Sequence, residues 1–233
     1  MLKKNNRKIA IIDNSIDESL YRPTEHWGAY LEDVSWHSFR AKYGKLPVLE
    51  KYTHLLLTGS EASILERDKW VEEEVSLVRE AVNRGMAVLG SCYGHQLLAL
   101  ALKGPDSIGR CLEPEIGWYL VTVKENNTLL GEKGVLYSFS IHFDEVVSLD
   151  DSFQILAETE KCRIQAFQLT GKPVWGLQIH PEINPVQARE ILQFLSERQT
   201  GQNDLYTRAL AMNPLDSGII NQIIKTFLLH DSS

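Results

Sequence analysis

The chain has 233 residues, enough for one large domain or for one domain with an appendage, and 43% of them are hydrophobic, as in ordinary globular proteins. The formal net charge of -7 and the lack of a basic stripe argue against a nucleic-acid-binding surface. Three cysteines without metal-ligand spacing indicate neither a disulfide framework nor a zinc site. The apolar run at residues 9–12 is too short for a signal peptide or a membrane span, so we expect a cytoplasmic protein that does not bind membranes.

Strands and helices alternate through the first half of the chain. The predicted strands cover residues 8–12, 34–39, 54–57 and 86–89. A stripe of valines at helical spacing predicts a helix over residues 70–84, and we assign its acidic run at residues 72–74 to a solvent-exposed face. This alternation predicts an α/β fold, with a mostly parallel sheet flanked by helices on both faces and functional groups at the carboxyl ends of its strands.

The second half of the chain predicts an additional antiparallel β region. Strand candidates separated by Gly, Asn and Asp cover residues 119–123, 135–139, 155–157, 163–167 and 174–179. Residues 171–173 predict a hairpin turn between the last two. Asn184, Pro185 and Gln187 then form a capping box that begins the last helix of the domain.

A change of character near residue 199 divides the chain into a predicted catalytic domain, residues 1–198, and a C-terminal helical extension, residues 199–233. Residues 200–204 resemble a linker. Apolar residues at helical spacing between Ile219 and Leu228 predict a helix. That helix either packs back on its own domain or contacts a partner or a second copy of the chain.

The stretch Gly90-Ser-Cys92-Tyr-Gly94-His-Gln96 lies between an apolar strand and an apolar helix. Glycines on both sides of Cys92 favour a sharp turn, which places the sulfur beside the N-terminus of the next helix. Positive charge there favours the thiolate. The pattern is that of a nucleophile elbow with cysteine in place of serine. The alternative is a buried structural cysteine in a strand–helix turn.

A second segment ends in His180-Pro181-Glu182. If these residues continue the strand, positions two apart lie on the same face, so Glu182 can orient the ring of His180. A cysteine nucleophile, a histidine base and an orienting carboxylate are the groups that acyl transfer requires. Taken alone, the segment is more typical of a surface loop, and only its combination with the elbow favours the functional interpretation.

The two motifs, G-x-C-x-G-x-Q and G-x-Q-x-H-P-E, resemble those of the class I (triad-type) glutamine amidotransferase family. Weaker landmarks of that family occur in the expected order, at residues 57–60, 115–118 and 140–146. The resemblance covers residues 9–195 and is greatest to the amidotransferase domain of GMP synthases, here as a free-standing chain. It implies the flavodoxin-like fold of class I amidotransferases and no metal or organic cofactor.

The resemblance also implies a role for each site residue. Cys92 attacks the γ-carboxamide of glutamine, His180 transfers the proton, and Glu182 holds His180. Backbone N–H groups of Tyr93 and of the Gly59-Ser60 turn form the oxyanion hole. The expected substrate-binding residues are Gln96, Ser140, Ile141, His142 and Phe143. For Gln96 the alternative is a helix residue facing solvent.

Departures from the family pattern leave the substrate open. Ser60 and Glu61 stand where many members have Gly and Pro, and Ile141 and Phe143 are bulkier than usual. The first interpretation is a glutamine amidotransferase-like hydrolase that releases glutamate and ammonia, with a synthase partner or a homodimer. The second is a self-sufficient γ-glutamyl peptidase acting on γ-glutamyl small molecules. A non-catalytic regulatory subunit is the third.

Overall fold

The computed structural model describes residues 7–198, residue 201 and residues 203–230. Within these residues, nine strands form one mixed sheet in the order β2-β1-β3-β4-β9-β8-β7-β5-β6. The strands are β1 (Lys8–Asp13), β2 (Ser35–Arg40), β3 (His54–Leu57), β4 (Ala87–Ser91), β5 (Ile108–Val123), β6 (Gly134–Val146), β7 (Phe153–Glu158), β8 (Ala166–Leu169) and β9 (Val174–Leu177). The helices are α1 (Pro23–Gly28), α2 (Lys69–Asn83), α3 (Tyr93–Lys103), α4 (Pro185–Arg198), α5 (Asn203–Ala211) and α6 (Ile220–Leu229).

The first four strands and β9 pair in parallel, as the alternation of strands and helices predicts. Their side chains alternate between two cores. On one face, residues such as Ile12 and Val88 pack under α2 and α3. On the other, Ile11 and Leu89 pack against α1 and α6. Helices therefore cover both faces of the parallel half, and the predicted fold class is confirmed.

The antiparallel half is built on a long hairpin of β5 and β6, paired from Ile108↔Val146 to Val123↔Gly134. The strands predicted at residues 119–123 and 135–139 are therefore much too short. The rest of each strand contains polar residues such as Glu115 and His142, which interrupt the apolar pattern used for the prediction. They can be buried in the sheet because they hydrogen-bond to each other. The strand predicted at 163–167 is displaced to Ala166–Leu169.

The structure also tests two predictions about the helices, the capping box of α4 and the exposed acidic run of α2. The capping box of α4 is confirmed, since Asn184 Oδ1 accepts hydrogen bonds from the amides of Val186 and Gln187 while Gln187 Oε1 accepts one from the Asn184 amide. The acidic run on α2 is only partly exposed. Glu74 is fully buried, because it falls three residues after the buried Val71 and so lies on the apolar stripe.

The C-terminal helices pack on the same sheet as the rest of the chain. Residues 199, 200 and 202, at the predicted linker, lie outside the described residues. Helix α5 packs on α4 and β5. The apolar stripe of α6, including Ile223 and Phe227, is buried in the core beneath β1, β3 and β4. Of the two interpretations of this helix, packing on its own domain is the observed one. Among the described residues, none of the helices combines the length and the apolar character that crossing a bilayer requires.

Candidate active site

Three predicted site segments meet at one edge of the sheet. Gly59, Cys92 and His180 follow β3, β4 and β9, which are neighbours in the sheet, with Leu57 paired to Gly90 and Gly90 paired to Gly176. The convergence predicted from the carboxyl ends of parallel strands is therefore present, although His180 lies 88 residues after Cys92.

Cys92 occupies a strained backbone position. Its φ of 49° and ψ of -104° make it one of two non-glycine residues with positive φ in the described ranges. The flanking glycines allow neighbouring backbone segments to approach closely. A Cβ on Gly90 would lie 2.4 Å from the carbonyl oxygen of Gly94, and one on Gly94 would lie 2.3 Å from that of Leu57. The strain thus falls on the cysteine itself, as in a nucleophile elbow.

His180 and Glu182 form a buried pair. The Nδ1 atom of His180 lies 2.7 Å from Glu182 Oε1, and both side chains are almost fully buried. The contact was predicted, but the reason given for it is wrong. Strand β9 ends at Leu177, and the two residues lie in a turn in which the Ile183 amide donates to the His180 carbonyl at 3.2 Å. The turn, rather than strand alternation, brings them together.

The charges of the site are mutually dependent. Burial disfavours a charged imidazole, but interactions with the Glu182 carboxylate and with Cys92 outweigh it and raise the pKa of His180 to about 10. Burial likewise opposes ionisation of Glu182, yet His180 and a hydroxyl group hold the pKa of its carboxyl below the usual range. The pair is therefore an imidazolium and a carboxylate at neutral pH.

That hydroxyl belongs to Tyr21, which sequence reasoning missed. Its Oη atom donates to Glu182 Oε1 at 2.7 Å, and its ring meets the ring of His180 edge-on at 5.7 Å between centroids. The loop between β1 and α1 that carries Tyr21 has no periodic pattern, and Tyr21 precedes Glu182 by 161 residues. Nothing in the sequence indicates this contact.

The predicted oxyanion-hole residues lie beside Cys92. Tyr93 is the first residue of α3, where a backbone N–H has no partner within the helix. Gly59 approaches from β3, and a Cβ there would lie 2.7 Å from Cε1 of His180. Glycine at this position therefore leaves room for the imidazole ring. Ser60 lies next to it and lines the cavity in front of Cys92.

The predicted substrate-binding residues fall into two groups. Gln96, Ile141, His142 and Phe143 line the cavity, whereas Ser140 is buried in β6 and does not. Gln96 is also buried, so the solvent-facing alternative is wrong. Its Nε2 donates to the Asp144 carbonyl at 2.7 Å.

The cavity itself has a volume of about 170 Å³ and includes both Cys92 and His180 in its lining. The thiol of Cys92 lies 3.7 Å from the carbonyl oxygen of Ile141, so β6 borders the nucleophile directly. Within the described residues, no group of three or more His, Cys, Asp and Glu side chains is placed to hold a metal ion. The arrangement places a nucleophile and a base in the lining of one cavity, with an orienting carboxylate behind the base.

Comparison with known proteins shows which family the sequence matches. Residues 10–196 match the family model of class-I glutamine amidotransferases. A glutamine-hydrolysing GMP synthase subunit from Methanocaldococcus jannaschii is 34% identical over 114 residues, which is 48% of this chain but only 60% of that relative's length. Gamma-glutamyl peptidase 3 from Arabidopsis thaliana is 30% identical over 178 residues, 72% of this chain and 69% of that protein.

Solved structures share the fold. A glutamine amidotransferase from Thermotoga maritima superposes with a TM-score of 0.74 at 20% identity, covering 96% of this chain and 98% of that one. A glutamine amidotransferase from Methylobacillus flagellatus gives a TM-score of 0.74 at 22% identity, covering 96% and 92%.

Proposed function

The chain belongs to the class-I glutamine amidotransferase family, and we propose that it is a hydrolase that cleaves a γ-glutamyl amide bond through a thioester on Cys92. The observation that carries the proposal is the strained Cys92 at the end of β4, facing the buried pair of His180 and Glu182 at the end of β9. Family membership supports amide hydrolysis in general, and the roles of individual residues are part of the proposal.

In the first step, the sulfur of Cys92 attacks the γ-carbonyl carbon of the substrate, and the C–N bond breaks. The thiol proton has passed to His180, which donates it to the departing nitrogen. The pKa of about 10 suits this role, since the imidazolium is fully protonated at neutral pH. Glu182 keeps the ring oriented and stabilises its charge.

The developing oxyanion is bound by the backbone N–H of Tyr93 and by one from the Gly59-Ser60 turn. Water then attacks the thioester, with His180 as base, and releases glutamate and the free thiol. With glutamine as substrate, the leaving group is ammonia. Since the names of several relatives describe part of a glutamine-hydrolysing GMP synthase, we propose delivery of ammonia to a separate synthase as the first biological context.

A second candidate is the hydrolysis of γ-glutamyl peptides by the isolated chain. It is favoured by a specific observation, the apolar residues Ile141 and Phe143 that border the cavity on β6. The relative from Arabidopsis thaliana is named as a gamma-glutamyl peptidase. A synthase-dependent glutaminase is expected to hydrolyse glutamine slowly until its partner docks, whereas a self-sufficient peptidase is fully active when purified.

Covalent labelling tests the nucleophile. Incubation with a chloroketone analogue of glutamine should give one adduct, located at Cys92 by peptide mass spectrometry, and should abolish hydrolysis. Burial raises the pKa of Cys111 and of Cys162, so these thiols should remain unmodified. Cys92→Ala should lose both labelling and turnover, while the matched variant Cys111→Ala should keep both. Turnover by Cys92→Ala at the wild-type rate would disprove the assignment.

A further inference from the structure

The cavity in front of Cys92 has two chemically different sides. One side, here called the apolar wall, consists of side chains that all belong to a single hydrophobic cluster formed by α4, α5, the β5–β6 hairpin and the loop before α1. The members that line the cavity include Leu20, Ile141, Phe143, Ile183, Ile191 and Leu195. Because they pack on one another, they form one continuous surface rather than scattered contacts.

The opposite side is polar and is organised around Asp144. Its Oδ2 atom accepts a hydrogen bond from Ser63 at 2.5 Å, and its Oδ1 atom pairs with Arg110 at 3.0 Å. The carbonyl oxygen of the same residue accepts from Gln96. Arg110 is largely exposed, so its guanidinium remains accessible at the rim of the cavity.

Glu61 completes the polar side. Its Oε2 atom accepts the amide of Ile16 at 2.8 Å, whereas Oε1 is buried and has no hydrogen-bond partner within the described residues. An unpartnered carboxylate oxygen is costly to bury unless a donor reaches it. An ammonium group in the cavity would satisfy Glu61, and a carboxylate at the rim would meet Arg110. These are the two charged groups of a glutamyl head.

We propose that the apolar wall is a leaving-group subsite, and that the preferred substrates are γ-glutamyl amides of aliphatic or aromatic amino acids. The inference rests on the proposed hydrolysis at Cys92 and favours its second candidate, the hydrolysis of γ-glutamyl peptides, over the hydrolysis of glutamine. A glutamyl head held by Glu61 and Arg110 places its γ-carbonyl at the junction of the two sides, so that whatever leaves the carbonyl points to the wall. Ammonia would leave that wall uncovered, whereas an apolar side chain buries against it.

The reaction balances with water alone. The γ-carbon bonds to Cys92 Sγ as the C–N bond breaks, and the departing amino acid takes its proton from His180. Water then cleaves the thioester and restores the thiol. The products are glutamate and the free apolar amino acid, and neither an oxidant nor another co-reactant is consumed.

Steady-state hydrolysis by the wild-type chain tests the preference. We expect kcat/KM for γ-glutamyl-leucine to exceed that for γ-glutamyl-glycine by at least about tenfold, since a single methylene in an apolar pocket already changes kcat/KM by about that factor. Glutamine should be a poorer substrate than either. Equal values for the two dipeptides would overturn the inference while leaving the proposed hydrolysis intact.

A pair of leucines on α4 provides the matched variants. Leu195 and Leu192 are 6% and 2% exposed and belong to the same cluster, but only Leu195 lines the cavity. Leu195→Ala should reduce the leucine-to-glycine preference several-fold, whereas Leu192→Ala should retain it. Leu20→Ala, in a partly exposed loop position that carries little risk for folding, should act like Leu195→Ala. Unchanged preference in both wall variants would contradict the proposal.

Binding separates this inference from the proposed function. Calorimetry on Cys92→Ala should show γ-glutamyl-leucine binding about tenfold more tightly than γ-glutamyl-glycine, without any turnover. That result with an inactive wild-type chain would support the subsite and refute the proposed hydrolysis. Equal affinities for the two dipeptides, with an active wild-type chain, would refute the subsite and support the proposed hydrolysis.

Discussion

The hydroxyl of Tyr21 and the imidazole of His180 share one oxygen of Glu182. Both hydrogen bonds measure 2.7 Å and end on Oε1, while Oε2 has no partner among the described residues. The carboxylate is thus fixed from two directions by donors on different parts of the fold. Tyr21 also lines the cavity, so the loop that carries it both borders the substrate and orients the acid.

Tyr21→Phe removes this hydroxyl and keeps the ring. A hydrogen bond to a charged group contributes about 1.5–3 kcal/mol, so kcat should fall by about one to two orders of magnitude with little change in KM. Because the hydroxyl also lowers the pKa of Glu182, the acid limb of the kcat/KM profile should move to higher pH. Steady-state kinetics across pH measure both effects. An unchanged kcat and an unmoved acid limb would show that Tyr21 only packs.

Glu182→Gln should be far more damaging. The amide keeps the shape of the side chain but removes the charge that raises the pKa of His180, which should fall from about 10 towards its ordinary range. Turnover should drop by about three to four orders of magnitude, as when the acid of a related triad is made neutral. Kinetics and an NMR titration of the His180 ring measure the two changes. Survival of near-normal turnover would remove Glu182 from the mechanism.

Residue by residue, local spacing predicts what lies close in sequence. The motifs point to Cys92, to His180 and to Glu182; the first two line one cavity, and the third is bonded to His180. Tyr21 could not be found in this way, because its contact spans two loops that only the fold brings together. The same holds for Glu61. Its Oε2 atom accepts a hydrogen bond from the Ile16 amide, a contact between two loops that the sequence does not indicate.

At the scale of elements, α2 carries the clearest conflict with its sequence pattern. Glu74 is buried without a hydrogen-bond partner among the described residues, and burial raises its pKa well above the ordinary value. Burial therefore favours the protonated carboxyl in the fold. Burial, and after it the neighbouring Glu74, raise the pKa of the Tyr93 phenol. The buried carboxyl therefore lies close to the residue that follows Cys92.

Glu74→Leu should stabilise the protein by about 1–3 kcal/mol even near pH 4, since it removes an unsatisfied buried group. The gain should grow with pH. Below the unfolded-state pKa, near 4.5, both states are protonated and only the missing hydrogen bonds of Glu74 cost stability. As pH rises above that value, the unfolded state ionises and the native state loses stability by up to about 1.4 kcal/mol per pH unit. Urea unfolding at pH 5 and pH 8 measures the difference.

The control for this variant is Glu73→Leu, an exposed neighbour on the same helix. It should change the free energy of unfolding by less than about 0.5 kcal/mol at either pH. Equal effects of the two substitutions, or a gain from Glu74→Leu that shrinks as pH rises, would contradict the interpretation.

The hydrophobic periodicity of the sequence predicts the strands of the parallel half well. Each of β1 to β4 lies within two residues of its predicted bounds. The strands β1, β3 and β4 are buried and have continuous apolar runs, whereas β2, at the edge of the sheet, is more exposed and is recognised by its alternating pattern. Periodicity predicts β5 and β6 poorly. Glu115 on β5 accepts hydrogen bonds from Thr159 and Gln165, so a polar strand position is satisfied by partners that the sequence does not disclose.

For the whole molecule, α6 is part of the core although it comes last in the chain. Phe227 is fully buried, and its ring meets that of His54 edge-on at 5.0 Å between centroids. The parallel half would otherwise leave this face of β3 and β4 uncovered. The sequence predicts the apolar stripe, but not which surface it covers, since several faces of the fold are apolar.

Phe227→Ala should destabilise the chain by about 3–5 kcal/mol through loss of buried contacts and creation of a cavity. Leu229→Ala, on the same helix but 64% exposed, is the matched control and should change stability little. Denaturant unfolding of both variants measures this. If α6 instead serves a partner, Phe227→Ala will unfold at the wild-type denaturant concentration.

Strand β9 sits between β4, to which it is parallel, and β8, to which it is antiparallel. It joins the two halves of the sheet and delivers His180 to the cysteine. On the ribosome, the chain therefore completes β1 to β4 and α3 long before β9 emerges, with β4 still an open edge. We expect nascent chains shorter than about 180 residues to contain the Cys92 thiol but not its base, His180. The site can therefore become active only after β9 has paired with β4.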